Sequence, residues 1–281
     1  MTVSHEETTS VEHVHGRRIA VTHRPGLPGR VPLVLCSGIG SSRDLFDPLV
    51  AALDPGRPVV RFDPPGIGSS PPSRTPYRIP QLAGAVAEIV RTLGYERFDA
   101  LGISWGGGPA QQLAFSQPDR CRHLVLVATG TGMLMVPARP RTLARMVTPR
   151  RHRDPGYARR IAGELYGGAA REDPDAAITA LHRASTATPV RGYLLQLAAI
   201  AGWTSLPLLP CIRQATLVLA GDDDPLIPLV NSAILGRLLP HAQVHRYPGG
   251  HLHLLTHPRE LAPLIDSFLG ADPDTTERTR R

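Results

Sequence analysis

Short apolar runs separated by glycine-rich turns set the frame of this chain. Val31 to Cys36, Pro58 to Phe62, His123 to Ala128 and Ala215 to Ala220 are almost uninterrupted Val/Leu-rich segments. This is the pattern of strands covered on both faces of a parallel sheet. Phe98-Asp99-Ala100-Leu101 and Gln243 to Tyr247 add two more strands, and Arg17 to His23 alternates enough to form an edge. Between them, Ser42 to Leu53, Gln81 to Leu93, Gly107 to Ser116 and Pro258 to Leu269 have helical spacing. Strands alternating with helices predict an α/β domain with a mostly parallel central sheet flanked by helices.

From Thr129 to about Leu209 the pattern changes to helical segments, clustered arginines and a Gly167-Gly168 break, without strand-like runs. A helical insertion between core strands predicts a cap over a site on the sheet. The expected organisation is a disordered lead over residues 1–15, a core over 16–130 and 210–270, a helical cap over 131–209 and a disordered tail over 271–281.

Gly102-Ile103-Ser104-Trp105-Gly106 joins a predicted strand to a predicted helix, the context of a nucleophile elbow. A Gly-x-Ser-x-Gly match is weak alone. Order strengthens it: Asp222-Asp223-Asp224 follows a later apolar run and His251 follows the next. Ser, then Asp, then His is the chain order of the α/β-hydrolase fold and not of other serine hydrolases. Ser104 is therefore the expected nucleophile and His251 the expected general base, favoured over His253. Asp224 is the preferred orienting acid, because a proline stands four residues beyond it at Pro228; Asp222 and Asp223 are the fallbacks. The turn Ser37-Gly38-Ile39-Gly40 after the first core strand offers the backbone N–H of Ile39 to an oxyanion hole, with that of Trp105 as the second donor.

Other signals narrow the field. Gly66-Ile67-Gly68 lacks the remaining glycine and the downstream acid of a dinucleotide fingerprint, so it predicts a structural turn near the site mouth. His251, His253 and His257 have only Glu260 nearby, and no metal or organic cofactor is expected. Cys36, Cys121 and Cys211 lack any paired spacing and read as reduced core residues. No apolar stretch reaches the length of a membrane span, and Met1 to Glu12 is polar and acidic where a signal peptide would be basic and then apolar, which predicts a cytoplasmic protein. The net charge of +7 comes from 31 basic residues that are all arginine. Without lysine there is no Walker lysine, Schiff base or Ser-Lys dyad. The basic stretch from Arg139 to Arg160 lacks interleaved aromatics, so it reads as a solvated face and not as a nucleic-acid surface.

Several motifs point to one family. Gly102-Ile-Ser-Trp-Gly-Gly with Ala110-Gln111-Gln112, Met135-Val136-Pro137, Pro149-Arg150-Arg151, Tyr166-Gly167-Gly168, Gly202-Trp203-Thr204-Ser205 and Leu219 to Pro228 with Asn231 are the most specific. From Arg17 to Leu269 the chain resembles the intracellular medium-chain-length polyhydroxyalkanoate depolymerases, capped α/β-hydrolases. It departs from them at Ser37, where the family usually has asparagine, and at Pro109, where it has an ordinary helix former. The resemblance implies a Ser104, His251 and Asp222–224 triad that cleaves poly(3-hydroxyalkanoate) to 3-hydroxyacids or oligomers, on or near a polymer granule. Two further readings stand beside it: an esterase or lipase for small or lipid esters with the same triad, and a non-catalytic hydrolase-fold binding module. A serine at 104 excludes dehalogenation, which needs a carboxylate nucleophile.

Overall fold

The computed structural model describes residues 6–182 and 188–271. Its strands are β1 (Thr8–Val14), β2 (Arg17–Arg24), β3 (Leu33–Cys36), β4 (Val59–Phe62), β5 (Phe98–Ile103), β6 (Cys121–Val127), β7 (Ala215–Gly221) and β8 (Ala242–Tyr247). They form one sheet in the order β1-β2-β4-β3-β5-β6-β7-β8. β2 runs antiparallel to both its neighbours, and β3 to β8 are parallel.

Helices α1 (Asp47–Ala52), α2 (Ile79–Thr92) and α3 (Gly107–Ser116) belong to the first half of the core. Six follow between β6 and β7: α4 (Pro140–Met146), α5 (Arg150–Arg153), α6 (Pro155–Tyr166), α7 (Ala169–Glu172), α8 (Pro174–His182) and α9 (Val190–Ile200). α10 (Val230–Leu238), α11 (His253–Thr256) and α12 (Pro258–Gly270) complete the second half.

The apolar runs behave as a two-faced sheet requires. Along β3, Val34 and Cys36 pack with α2, α3 and α9 on one face, while Leu33 and Leu35 pack with α1, α8 and α12 on the other. Successive side chains of a strand point to opposite faces, so a strand buried on both must be apolar throughout.

Thr8–Val14, expected within a structureless lead, instead forms β1, paired in register with β2 from Thr8↔His23 to Val14↔Arg17. β1 is therefore the edge and β2 an inner strand. The segment is mostly exposed, so it carries no apolar run to reveal it; backbone pairing holds it. The rest of the lead before Glu6 and the tail beyond Ala271 lie outside the described residues. The helix expected from Ser42 to Leu53 is divided into a short 3-10 turn, Arg43–Phe46, and α1, with Pro48 in the first turn of the latter. Cys36 and Cys121 are buried and burial pushes both thiols up, but Cys211 is exposed in a turn and does not belong to the core.

The strand order places the site. From β3 the chain steps to β4 on one side and then to β5 on the other, so the loops after β3 and β5 diverge at one point at the carboxyl end of the sheet. Such a switch point is where open α/β sheets take ligands.

Candidate active site

Both loops at the switch point carry residues singled out in the sequence. Cys36 is paired with Gly102, so the turn containing Ile39 leaves the sheet beside the turn containing Ser104. A Cβ on Gly106 would sit 2.0 Å from the Cys36 carbonyl oxygen, so only glycine permits this approach. Ser104 itself has φ +55°, in the left-handed region that a side-chain-bearing residue enters at a cost of order 1–3 kcal/mol. Surroundings hold it there: the Thr129 hydroxyl donates to the Ser104 carbonyl at 2.7 Å, and a 3-10 turn, Ser104–Gly106, leads straight into α3. Pro109 is the third residue of α3, where the first turn has no use for its missing N–H.

The three aspartates after β7 have separate tasks. Asp224 Oδ2 lies 2.8 Å from His251 Nδ1, and its Oδ1 accepts the backbone N–H groups of Leu226 and Ile227 at 2.8 and 2.9 Å. Both side chains are almost wholly buried. Asp222 Oδ1 accepts from Gly249 N, holding the histidine loop. Asp223 faces outward, pairs with Arg171 at 2.7 Å and accepts from Gly168 N. The Arg171 guanidinium beside it holds the Asp223 carboxyl below the usual carboxylate range.

His253, the alternative base, is occupied elsewhere. Its ring lies between Tyr247 and His257, with centroids at 4.5 and 4.6 Å, and its Nε2 is 3.0 Å from Glu260. Burial pushes its pKa down. No group of metal-ligating side chains with suitable geometry occurs among the described residues.

Ser104 and His251 line one narrow cavity of about 30 Å³ together with Gly38 and Ile39. That volume holds a water molecule or two and is much smaller than a medium-chain acyl group. Its roof is the helical insertion, which contributes Met146, Arg151, His152 and Tyr166. Met133, by contrast, is exposed and outside the cavity, so the methionine that meets the site is Met146. A larger hollow of about 360 Å³ borders Asp222, Asp223 and Asp224 but includes neither Ser104 nor His251.

Sequence reasoning from the residues alone missed how the roof is tied to this site. The Tyr166 ring stacks on His251 with centroids 6.2 Å apart, and its carbonyl accepts the His251 N–H at 2.7 Å. Gln196 of α9 accepts from Gly40 N through its side chain and from the Trp105 indole through its backbone. The Thr188 hydroxyl donates to Gly40 O at 2.6 Å. Ser37 closes the same turn by donating to Ser41 O, so serine here does a backbone-fixing job. Asp63, at the head of the Gly66-Ile67-Gly68 turn, accepts from Arg43 N and Ser69 N and pairs with the Arg43 guanidinium; it is structural.

Comparison with known proteins agrees with this geometry. Residues 31–258 match the alpha/beta hydrolase fold family. The chain belongs to that family. It is 46% identical over 246 residues to a poly(3-hydroxyalkanoate) depolymerase of Ectopseudomonas oleovorans, covering 88% of this chain and 87% of that one. Among solved structures, the enol-lactonase of Burkholderia xenovorans LB400 superposes with a TM-score of 0.80 at 22% identity, covering 93% of this chain and all (100%) of that one. The esterase EaEST of Exiguobacterium antarcticum gives 0.79 at 18%, covering 94% and 100%. These two share the fold. Taken with the depolymerase relative, the family places this α/β hydrolase among the ester-cleaving enzymes.

Proposed function

We propose that this hydrolase cleaves poly(3-hydroxyalkanoate) through an acyl-enzyme on Ser104. The observation that carries the substrate is the 46% identity to the depolymerase across nearly the whole of both chains. The contact of His251 with Asp224 behind a serine on a strained turn supports the chemistry.

In this reading His251 takes the Ser104 proton as Oγ attacks the ester carbonyl, and Asp224 fixes the imidazole tautomer and stabilises the imidazolium. Two backbone N–H groups on Asp224 Oδ1 keep that carboxylate from rotating away. The N–H groups of Ile39 and Trp105 receive the oxyanion, each contributing about 2.7 to 4 kcal/mol by comparison with other acyl-transfer enzymes. The hydroxyl-bearing fragment leaves, and water then releases the acyl group from Ser104. No helix among the described residues is long and apolar enough to cross a membrane.

A polymer substrate also calls for a surface that meets the granule. Met133, Leu134, Val136, Leu143 and Val147 are exposed within one stretch of the cap. We assign this stretch to the polymer surface.

The narrow cavity favours a second reading, hydrolysis of small esters with the cap as it stands. One experiment separates the two: rates on an emulsion of medium-chain polymer against soluble p-nitrophenyl esters, with the protein's sedimentation alongside the polymer recorded in the same tubes. Release of 3-hydroxyacids with co-sedimentation is expected; activity on soluble esters alone, with the protein left in the supernatant, would refute the polymer assignment.

A further inference from the structure

Arg151 is the anomaly of the cavity roof. Its side chain is 2% exposed, and no carboxylate among the described residues forms an ion pair with it, although its neighbour Arg150 pairs with Asp154. The other buried arginines are compensated. Arg57 meets Asp99 and Asp266, Arg61 meets Glu7 and Asp47, and Arg24 donates to three backbone carbonyls. Arg151 meets neutral groups alone: the Tyr193 hydroxyl, at 2.8 Å from Nη1 and itself spent on the Met146 carbonyl, the face of the Tyr193 ring, and the Tyr166 hydroxyl. Its Nε has no acceptor.

Its neighbours in the cavity share this condition. Neither ring nitrogen of His152 makes a hydrogen bond of ordinary geometry, although the Ile39 backbone lies against the ring, and the Tyr166 hydroxyl has only the Arg151 guanidinium near it. Burial and the charge of Arg151 hold the His152 imidazole well below its usual range, so it is neutral and can donate one N–H. Three polar residues of the roof thus line the cavity that contains Ser104 and His251, and no carboxylate among the described residues pairs with the cation among them.

A buried cation without a counterion is costly, and a neutral ester carbonyl offsets little of that cost. A carboxylate offsets it well, because the planar guanidinium fork matches its two oxygens. A poly(3-hydroxyalkanoate) carries an ionised group only at its carboxyl terminus. In the terminal unit a short carbon bridge separates that group from the ester oxygen that must leave.

We propose that Arg151 seats the free carboxylate of the chain end beside Ser104, so that cleavage removes one unit at a time from that end. This rests on the reading of Ser104 as the nucleophile on a hydroxyalkanoate ester. Oγ bonds to the penultimate carbonyl carbon, the ester C–O bond breaks, and the terminal unit leaves as a 3-hydroxyacid with the proton held by His251. Water then splits the acyl-serine bond, restoring Ser104 and giving a shortened chain with a new terminal carboxylate.

The test compares a 3-hydroxyoctanoate dimer having a free carboxylate with its methyl ester. In the wild-type enzyme kcat/KM favours the free acid by about tenfold or more, and in Arg151→Gln that ratio falls to about one, with Arg151→Lys between them. A ratio near one in the wild type, or one that survives in Arg151→Gln while both rates fall together, would overturn the proposal. Should the variants not fold, the wild type alone decides. Polymer whose carboxyl ends are methylated must be degraded more slowly than uncapped polymer, and equal rates would refute end recognition. Fluorophosphonate labelling of Ser104 in the same preparations tells a failure here from a failure of the nucleophile assignment.

Discussion

At the level of single residues, three adjacent aspartates differ in what their oxygens touch. Asp224 alone meets the imidazole; Asp222 holds a loop amide, and Asp223 pairs with an exposed arginine. Asp224→Asn keeps the volume but offers an amide to the ring, which favours the wrong tautomer. We expect kcat to fall by about 10⁴-fold, as for the corresponding change in a serine protease. Asp223→Asn removes a surface pair worth no more than about 1 kcal/mol and should change kcat less than about threefold. Steady-state kinetics on a p-nitrophenyl ester measures both, and a comparable loss in the two variants would contradict the assignment. Chain order and turn chemistry made Ser104, Asp224 and His251 legible as candidates, because each sits in the turn that follows a core strand. Arg151, His152 and Gln196 were not legible as site residues. Their place depends on how a helical insertion folds back over the sheet, which no local pattern encodes.

At the level of elements, the seam between cap and core accounts for how the imidazole is presented. The carboxyl end of α6 supplies the Tyr166 ring and carbonyl to His251, and the next two residues, Gly167 and Gly168, pack against the loops that carry Asp224 and His251. Gly168 has φ +47°, and a Cβ there would lie 2.2 Å from Gly250 N, one residue before the histidine. Gly168→Ala therefore combines backbone strain with a clash, and we expect a loss of about 2 kcal/mol or more in urea unfolding. Because the displaced loop carries His251, kcat should fall more than KM rises; a stable variant of normal kcat would show that the seam does not position the ring. The strands and most core helices were legible from apolar periodicity, since burial on both faces leaves little choice of residue. β1 escaped because an exposed edge strand is held by backbone pairing, which leaves no apolar trace in the sequence.

For the molecule as a whole, topology does the decisive work. Reversal of strand order brings the turns after β3 and β5 together, and the far half of the chain returns through β7 and β8 to deliver an acid and a base to the same place. The all-arginine surface changes none of this; apart from Arg151, the buried arginines serve structural carboxylates and carbonyls at a distance from Ser104. The central claim is that this long loop of chain makes one hydroxyl nucleophilic. The most direct measurement is the rate of fluorophosphonate labelling with the adduct mapped by peptide mass. A single adduct on the Ser104 peptide, absent in Ser104→Ala and slowed by at least about a hundredfold in His251→Ala, is the predicted result. Labelling at another residue, or an undiminished rate without the imidazole, would contradict the account.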